Sequence, residues 1–185
     1  MRNVILSAAI SFDGFIEGPN GEIDWIIFGD DEGGSDLMEL IGEIDTVLYG
    51  RVSYEMWGNP VITEESSEFE KNFYGRLLEM DRYVFSRTKT EVEGNATVVS
   101  DGIVDLVEDL KSRPGKNIWL YGGASLVTTF MNLDLVDEFW LGVMPVILGK
   151  GTPLFQDVEQ RHKLRLKSSK ASKSGVIGVR YETVR

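Results

Sequence analysis

The apolar positions of the chain follow two alternating patterns through its first two-thirds. Short continuous apolar runs are typical of strands buried on both faces, and they predict strands at 3–10, 46–49, 83–85, 97–99 and 117–121. Between them, apolar residues recur every three to four positions and predict helices at 35–44, with Ser35 as N-cap, and at 66–80, 103–111 and 124–131. A loop rich in glycine and acidic residues separates the first strand from the first helix. Strand–helix alternation of this kind is typical of a mainly parallel sheet covered by helices on both faces.

The pattern changes after Asp137. Three further strands, with no helix between them, are predicted at 138–143, 164–168 and 176–183. The turn Lys173-Ser174-Gly175 joins the last two as a hairpin. The sequence therefore predicts a single three-layer α/β domain over residues 1–185, with a mainly parallel mixed sheet and antiparallel C-terminal strands.

The composition excludes several kinds of site. Of the 185 residues, 42% are hydrophobic, so one domain can bury a core without a disulfide or a metal ion. The chain contains no cysteine, which excludes disulfides, zinc-thiolate sites, iron–sulfur clusters and a cysteine nucleophile. His162 is the only histidine, so the usual histidine-rich metal sites are excluded too. We expect no metal site.

Charge and hydropathy narrow the choice of partner. The formal net charge of −11 opposes binding to nucleic acid, which depends on lysine and arginine displacing counterions. The longest apolar stretch, at 139–148, is too short to span a bilayer, and the first residues lack the pattern of a signal peptide. We therefore expect a cytoplasmic protein that acts on a small molecule, with no nucleic-acid or membrane partner.

Glycine, hydroxyl and basic residues follow three predicted strands where each strand ends, in segments 50–53, 86–88 and 122–125. In an open parallel sheet, ligands bind at the carboxyl ends of the strands. Arginine can form two parallel hydrogen bonds to a phosphate, and paired glycines leave backbone N–H groups open at a helix N-terminus. Each segment by itself could equally be a tight turn or a solvated loop. No Gly-x-Gly-x-x-Gly or Walker motif is present, which disfavours a Rossmann or P-loop site.

The order of these motifs resembles a known family. Ser11-Phe12-Asp13-Gly14 followed by Gly21-Glu22-Ile23-Asp24-Trp25 resembles the first strand and active-site loop of dihydrofolate reductases. The resemblance is closer to the reductase domain of the bifunctional riboflavin-biosynthesis deaminase/reductase (RibD), in which Ser-x-Asp-Gly is characteristic. Segments 49–55, 85–88 and 121–124 resemble its three cofactor segments, and 136–155 resembles its C-terminal part. The zinc signature of the deaminase half is absent, so the chain resembles a stand-alone reductase half.

The resemblance implies a dihydrofolate-reductase-like fold and an NADPH-dependent oxidoreductase that passes a hydride to a pterin- or pyrimidine-like ring. It implies cofactor contacts at Gly50, Arg51, Ser53, Ser86, Arg87 and Thr88, where hydroxyl and guanidinium groups would surround the adenosine and its 2′-phosphate. Such donors favour NADPH over NADH, since a free ribose hydroxyl prefers a carboxylate. The pyrophosphate would lie at Gly122, Gly123, Ala124 and Ser125, and the nicotinamide near Ala9 and Ile16.

Several acidic residues are candidates for a proton donor or for a substrate contact. Asp24 and Trp25 are predicted to line the substrate site, and Asp13 is a further catalytic candidate. Asp30 and Asp36 follow the loop tryptophan, as the key carboxylate of dihydrofolate reductases does. The plainer interpretation of these acids is solvation, or in the case of Asp36 an interaction with the helix dipole.

Two further expectations concern activity and assembly. The alternative to an enzyme is a non-catalytic module of the same fold that binds a nucleotide or a flavin. A homodimer is expected through the C-terminal third, where related reductase domains commonly pair and where Phe139, Trp140 and Phe155 are expected to be exposed.

Overall fold

The computed structural model describes residues 1–27 and 33–185, with the backbone alone at 33–35. The strands are β1 (Val4–Ser11), β2 (Phe15–Glu17), β3 (Ile44–Gly50), β4 (Asp81–Phe85), β5 (Thr97–Val99), β6 (Asn117–Gly122), β7 (Glu138–Met144), β8 (Thr152–Pro153), β9 (Leu164–Ala171) and β10 (Ile177–Thr183). The helices are α1 (Gly33–Glu43), α2 (Arg51–Trp57), α3 (Glu68–Glu79), α4 (Ile103–Ser112) and α5 (Ala124–Asn132). No helix in the described part of the chain is long and apolar enough to cross a membrane.

Eight strands form one sheet in the order β5-β4-β3-β6-β1-β7-β10-β9, which confirms the predicted mixed α/β fold. The strands from β5 to β7 pair in parallel, and β10 and β9 complete the sheet in antiparallel fashion. The sequence pattern had placed β7 among the antiparallel strands, and this was wrong. Ile5 pairs with Glu138 and Ser11 with Met144 in parallel register, because α5 still serves as a crossover between β6 and β7.

The elements that the sequence did not predict are short. The helix α2 has only seven residues, too few for a clear apolar period. The strands β2 and β8 pair with each other in a separate ribbon, where the amide of Leu154 donates to the carbonyl of Gly14 at 2.9 Å. The helix α1 begins at Gly33, two residues before the predicted cap at Ser35.

The apolar core is divided between the two faces of the sheet. Val4 and Leu6 of β1 pack on the α4–α5 side, and Ile5 between them packs on the α1–α3 side. This alternation of two buried faces explains why β1 is apolar almost throughout.

The predicted exposure of Phe139 and Trp140 was wrong. Their exposed fractions are 2% and 8%, because β7 lies between β1 and β10 and both of its faces are covered. Phe155, which follows the β8 ribbon, is 43% exposed, as expected.

We predict that Leu126→Ala in α5 lowers the free energy of unfolding by about 2–5 kcal/mol, since a buried leucine is replaced by a cavity. Leu133→Ala, at the C-terminal end of the same helix where the side chain is 42% exposed, should cost less than about 1 kcal/mol. Urea denaturation of both variants measures the difference. Equal losses would contradict the orientation of α5 described here.

Candidate functional site

The three glycine, hydroxyl and basic segments leave the sheet side by side. Neighbouring strands β4, β3 and β6 end at the same edge, since Gly50 pairs with Phe85 and Tyr49 with Gly122. Segments 50–53, 86–88 and 122–125 each continue directly from these strand ends. The structure therefore places all three segments next to one another at one edge of the sheet.

Three glycines lie where the ends of β3 and β6 meet, and the positive φ of Gly122 favours glycine there. A Cβ atom added to Gly50 would lie 3.4 Å from the carbonyl oxygen of Gly122 and 3.5 Å from the nitrogen of Gly123. A Cβ atom on Gly123 would lie 3.1 Å from Oγ of Ser53, and Gly122 has a φ of +101°. The peptide bond between Gly122 and Gly123 is cis. The backbones of the two strand ends and the Ser53 side chain therefore lie close together at this turn.

The N-terminus of α5 faces this opening without a side-chain cap. Gly123 is the N-cap residue and makes no side-chain hydrogen bond to the first turn. The first N–H groups of a helix have no partner within the helix, and together with the helix dipole they favour an anion. Ala124 is buried and Ser125 is exposed in this first turn.

A carboxylate that the sequence analysis did not single out lies among the basic residues of this edge. Glu55 in α2 accepts a hydrogen bond from Arg51 at 2.6 Å, and its other oxygen lies 3.6 Å from Nζ of Lys89. The i,i+4 spacing of Arg51 and Glu55 was the available signal for the first pair. The pair of Glu55 and Lys89 forms because the loop after β4 lies close to α2, and the sequence alone does not show this contact.

Ser86 shapes the loop after β4. Its side chain is buried, and Oγ accepts hydrogen bonds from the amides of Thr88 at 3.3 Å and Lys89 at 3.0 Å. The amide of Ser86 donates to the carbonyl of Val99 and ties the loop to β5. Arg87 and Thr88 are exposed at the edge of the cleft.

A cavity of about 440 Å³ lies between α1 and the sheet, over β1, β7, β10 and β9. Its floor is made of small residues in one row, since Ala9 pairs with Gly142 and Gly142 pairs with Gly178. A Cβ atom on Gly178 would lie 3.2 Å from Oδ2 of Asp36, so a larger residue there would narrow the space. The sequence analysis missed Gly142 and Gly178, although a glycine inside a strand can mark a place where a ligand approaches.

Charged side chains line this cavity in opposed pairs. Lys170 of β9 lies 3.7 Å from Asp36 of α1, and Arg180 of β10 lies 2.7 Å from Glu39. The guanidinium of Arg180 also stacks 3.6 Å from the ring centre of Trp140. Of these charged residues, the sequence analysis had named only Asp36 as a candidate. The pairs themselves form only when the C-terminal hairpin, which carries Lys170 and Arg180, packs against α1.

The other predicted residues lie in different surroundings. Ala9 lines the cavity, whereas Ile16 packs against the core cluster on the α4–α5 side. Asp24 is exposed, and Trp25 is half-buried with Nε1 donating to the carbonyl of Glu22 at 2.9 Å. The next two residues, at 26 and 27, line the cavity. Asp30 lies outside the described residues.

Asp13 fixes the loop that follows β7. Its carboxylate accepts hydrogen bonds from Ser11 Oγ at 2.7 Å and from the amides of Leu148 and Gly149 at 3.1 and 2.7 Å. Desolvation raises the pKa of Asp13, but these hydrogen bonds outweigh it and hold the pKa below its ordinary value. Asp13 is therefore an ionised acceptor at neutral pH.

Comparison with known proteins agrees with this architecture. Residues 2–177 match the family described as RibD C-terminal domain. The uncharacterised protein YyaP of Bacillus subtilis is 47% identical over 97% of this chain and 94% of its own length. A protein of Shewanella sp. PV-4 assigned to riboflavin biosynthesis superimposes with a TM-score of 0.80 at 24% identity, over 99% of both chains.

A second solved structure contains this fold as part of a longer chain. It is the diaminohydroxyphosphoribosylaminopyrimidine deaminase/5-amino-6-(5-phosphoribosylamino)uracil reductase of Thermotoga maritima. It superimposes with a TM-score of 0.68 at 19% identity, over 99% of this chain and 57% of its own. The family match over residues 2–177 shows that the chain belongs to the RibD C-terminal domain family.

Proposed function

We propose that the protein is an NADPH-dependent reductase that transfers a hydride to a small pterin- or pyrimidine-like ring. Membership of a reductase family supports an oxidoreductase. One observation carries the finer proposal: the three segments and the cavity lie on neighbouring strands. The strand β6, which leads into segment 122–125, pairs with β1, and Ala8 and Ala9 of β1 line the cavity.

The residues of the cleft fit a phosphorylated dinucleotide. The glycine turn at 122–123 and the uncapped start of α5 suit a pyrophosphate, because both present backbone N–H groups without side-chain obstruction. Arg51, Ser53 and the loop 86–88 suit the adenosine end, where cations and hydroxyls can hold a 2′-phosphate. NADPH supplies the hydride when it is bound.

The residues around the cavity position the second reactant. The small side chains at positions 9, 142 and 178 leave room for a flat ring, and Arg180, stacked on Trp140, lies beside it. We assign Asp24 and Trp25 to the mouth of the cavity, because the next two residues line it. We assign Asp13 a positioning role, since its carboxylate is already occupied by the loop after β7.

We also propose a homodimer through the C-terminal strands, on the face opposite the cavity. Leu164 and Leu166 of the edge strand β9 are 42% and 52% exposed. Leu166 pairs with Tyr181, which pairs with Phe139, and Phe139 contacts the exposed ring of Phe155. This apolar row continues from the core to the surface, and a second copy of the chain would bury its exposed end.

The first prediction from the proposed function concerns the binding of NADPH. NADPH at one hundred times its dissociation constant should add about 2.7 kcal/mol to the stability of the protein, measured as a rise in melting temperature. Arg51→Gln should weaken NADPH binding about tenfold, since a charged hydrogen-bond donor to phosphate is lost. Arg76→Gln, an exposed arginine in α3, should bind as the wild type does. A melting temperature that does not change with NADPH would contradict the proposal. NADPH that binds but is not oxidised in the presence of any ring compound tested would favour the non-catalytic module.

The second prediction concerns the choice between NADPH and NADH. Glu55→Gln should raise the affinity for NADPH about two- to fivefold and leave NADH unchanged, because Arg51 and Lys89 are freed from a screened ion pair. Titration of tryptophan fluorescence with each nucleotide measures both constants, with Glu79→Gln as the matched exposed control. Weaker binding of both nucleotides to Glu55→Gln would instead make Glu55 a direct ligand of the ribose.

The third prediction concerns assembly. Leu166→Glu should shift the protein toward monomer in sedimentation experiments, because it places a charge in the proposed interface. Val61→Glu adds the same charge at a residue that is 83% exposed and lies after α2, and it should leave the mass unchanged. A wild-type protein that is monomeric at every concentration tested would contradict the dimer.

A further inference from the structure

We propose that the cavity between α1 and the sheet accepts an amino-substituted ring that carries no phosphate group. The inference rests on the proposed function and concerns the substrate class of that same site. It comes from the distribution of charge on the two walls of the cavity.

The wall formed by α1 and by residues 26 and 27 is acidic. Among the described residues of this wall, the charged ones are Asp36 and Glu39. This wall therefore offers no cation to a phosphate, and it offers carboxylate oxygens to N–H groups.

The opposite wall contains cations that are already paired. Among the described residues that line the cavity, the basic ones are Lys170 and Arg180. Lys170 faces Asp36 at 3.7 Å, and Arg180 faces Glu39 at 2.7 Å while it stacks on Trp140 at 3.6 Å. A phosphate that bound either cation would separate a half-exposed ion pair and would lie beside the released carboxylate. Both effects oppose binding of the phosphate.

The remaining lining suits an uncharged ligand with several donors and acceptors. Ser7, Ser168 and Ser169 carry hydroxyl groups that can donate and accept. The volume of about 440 Å³ lies within the range of small-molecule sites and can hold a ring with a sugar-sized substituent. An aminopyrimidine with a neutral polyol side chain fits this lining, because its N–H groups face carboxylates and its hydroxyls face serines.

By this inference, the chain differs in its substrate from the Thermotoga maritima protein, whose name specifies a phosphoribosylamino compound. If the ring is bound without phosphate, a reaction that hydrolyses a phosphate monoester must come before the step proposed here. The two proteins would then share a fold and a type of reduction but not the same reactant.

Isothermal titration with 5-nitro-6-ribitylaminouracil and with its 5′-phosphate tests the inference on the full-length protein. We expect the unphosphorylated compound to bind about fivefold more tightly, because a phosphate would have to displace a half-exposed carboxylate from its cation. Equal binding, preference for the phosphate, or binding of neither compound would overturn the inference.

Charge-removing variants test the cause of this preference. Glu39→Gln frees Arg180 and should shift the ratio of the two dissociation constants about fivefold toward the phosphorylated compound. Glu43→Gln, an exposed residue one turn further along α1, should leave the ratio unchanged. Asp36→Asn repeats the test at Lys170 in case Glu39→Gln fails to fold, and an unchanged ratio in folded Glu39→Gln or Asp36→Asn overturns the inference.

NADPH binding, measured without any ring present, keeps the two proposals apart. A protein that does not bind NADPH fails the proposed function, whichever ring it prefers. A protein that binds NADPH and prefers the phosphorylated ring retains the proposed function and contradicts only the inference about phosphate.

Discussion

The contact between the ends of β3 and β6 is the constraint on which the site depends. Gly50 approaches Gly122 and Gly123 so closely that a Cβ atom on Gly50 would touch backbone atoms on both residues. The parallel pairing of β4, β3, β6 and β1 then places four strand ends at one edge of the sheet. Because the centre of this edge is formed by glycine backbone, the proposed cofactor site depends on main-chain N–H groups that are not covered by side chains of their own residues.

The cavity is a consequence of small residues placed within strands of an otherwise full sheet. Ala9, Gly142 and Gly178 occupy one row over β1, β7 and β10, on the face that α1 covers. Larger apolar residues in this row would each bury more surface and add about 1.5–3 kcal/mol of stability. The fold lacks this contribution at one place and has a cavity of about 440 Å³ there instead.

The basic residues of the edge strand β9 are paired with acidic residues on neighbouring elements. The chain is acidic overall, with a net charge of −11, yet β9 carries Arg165, Lys167 and Lys170. These residues face acids on neighbouring elements, including Glu182, Glu138 and Asp36. Lysines on an exposed edge strand ordinarily protect it from pairing with another chain. In the folded protein they also attach the hairpin to the rest of the sheet and, at Lys170, close one side of the cavity.

The sequence by itself determined the fold class, the positions of most strands and helices, and the three segments at the strand ends. It could do so because apolar periodicity and glycine, hydroxyl and basic residues at strand ends are local properties of the chain. Only the tertiary structure decided that β7 is parallel to β1, that Phe139 and Trp140 are buried, and that Glu55 joins two basic residues from different elements. The same holds for the cavity lined by Asp36, Glu39, Lys170 and Arg180, since these residues are brought together from α1 and the C-terminal hairpin, more than 130 positions apart. Contacts over such distances depend on strand order and on the packing of layers, and neither is recorded in the local pattern of residues.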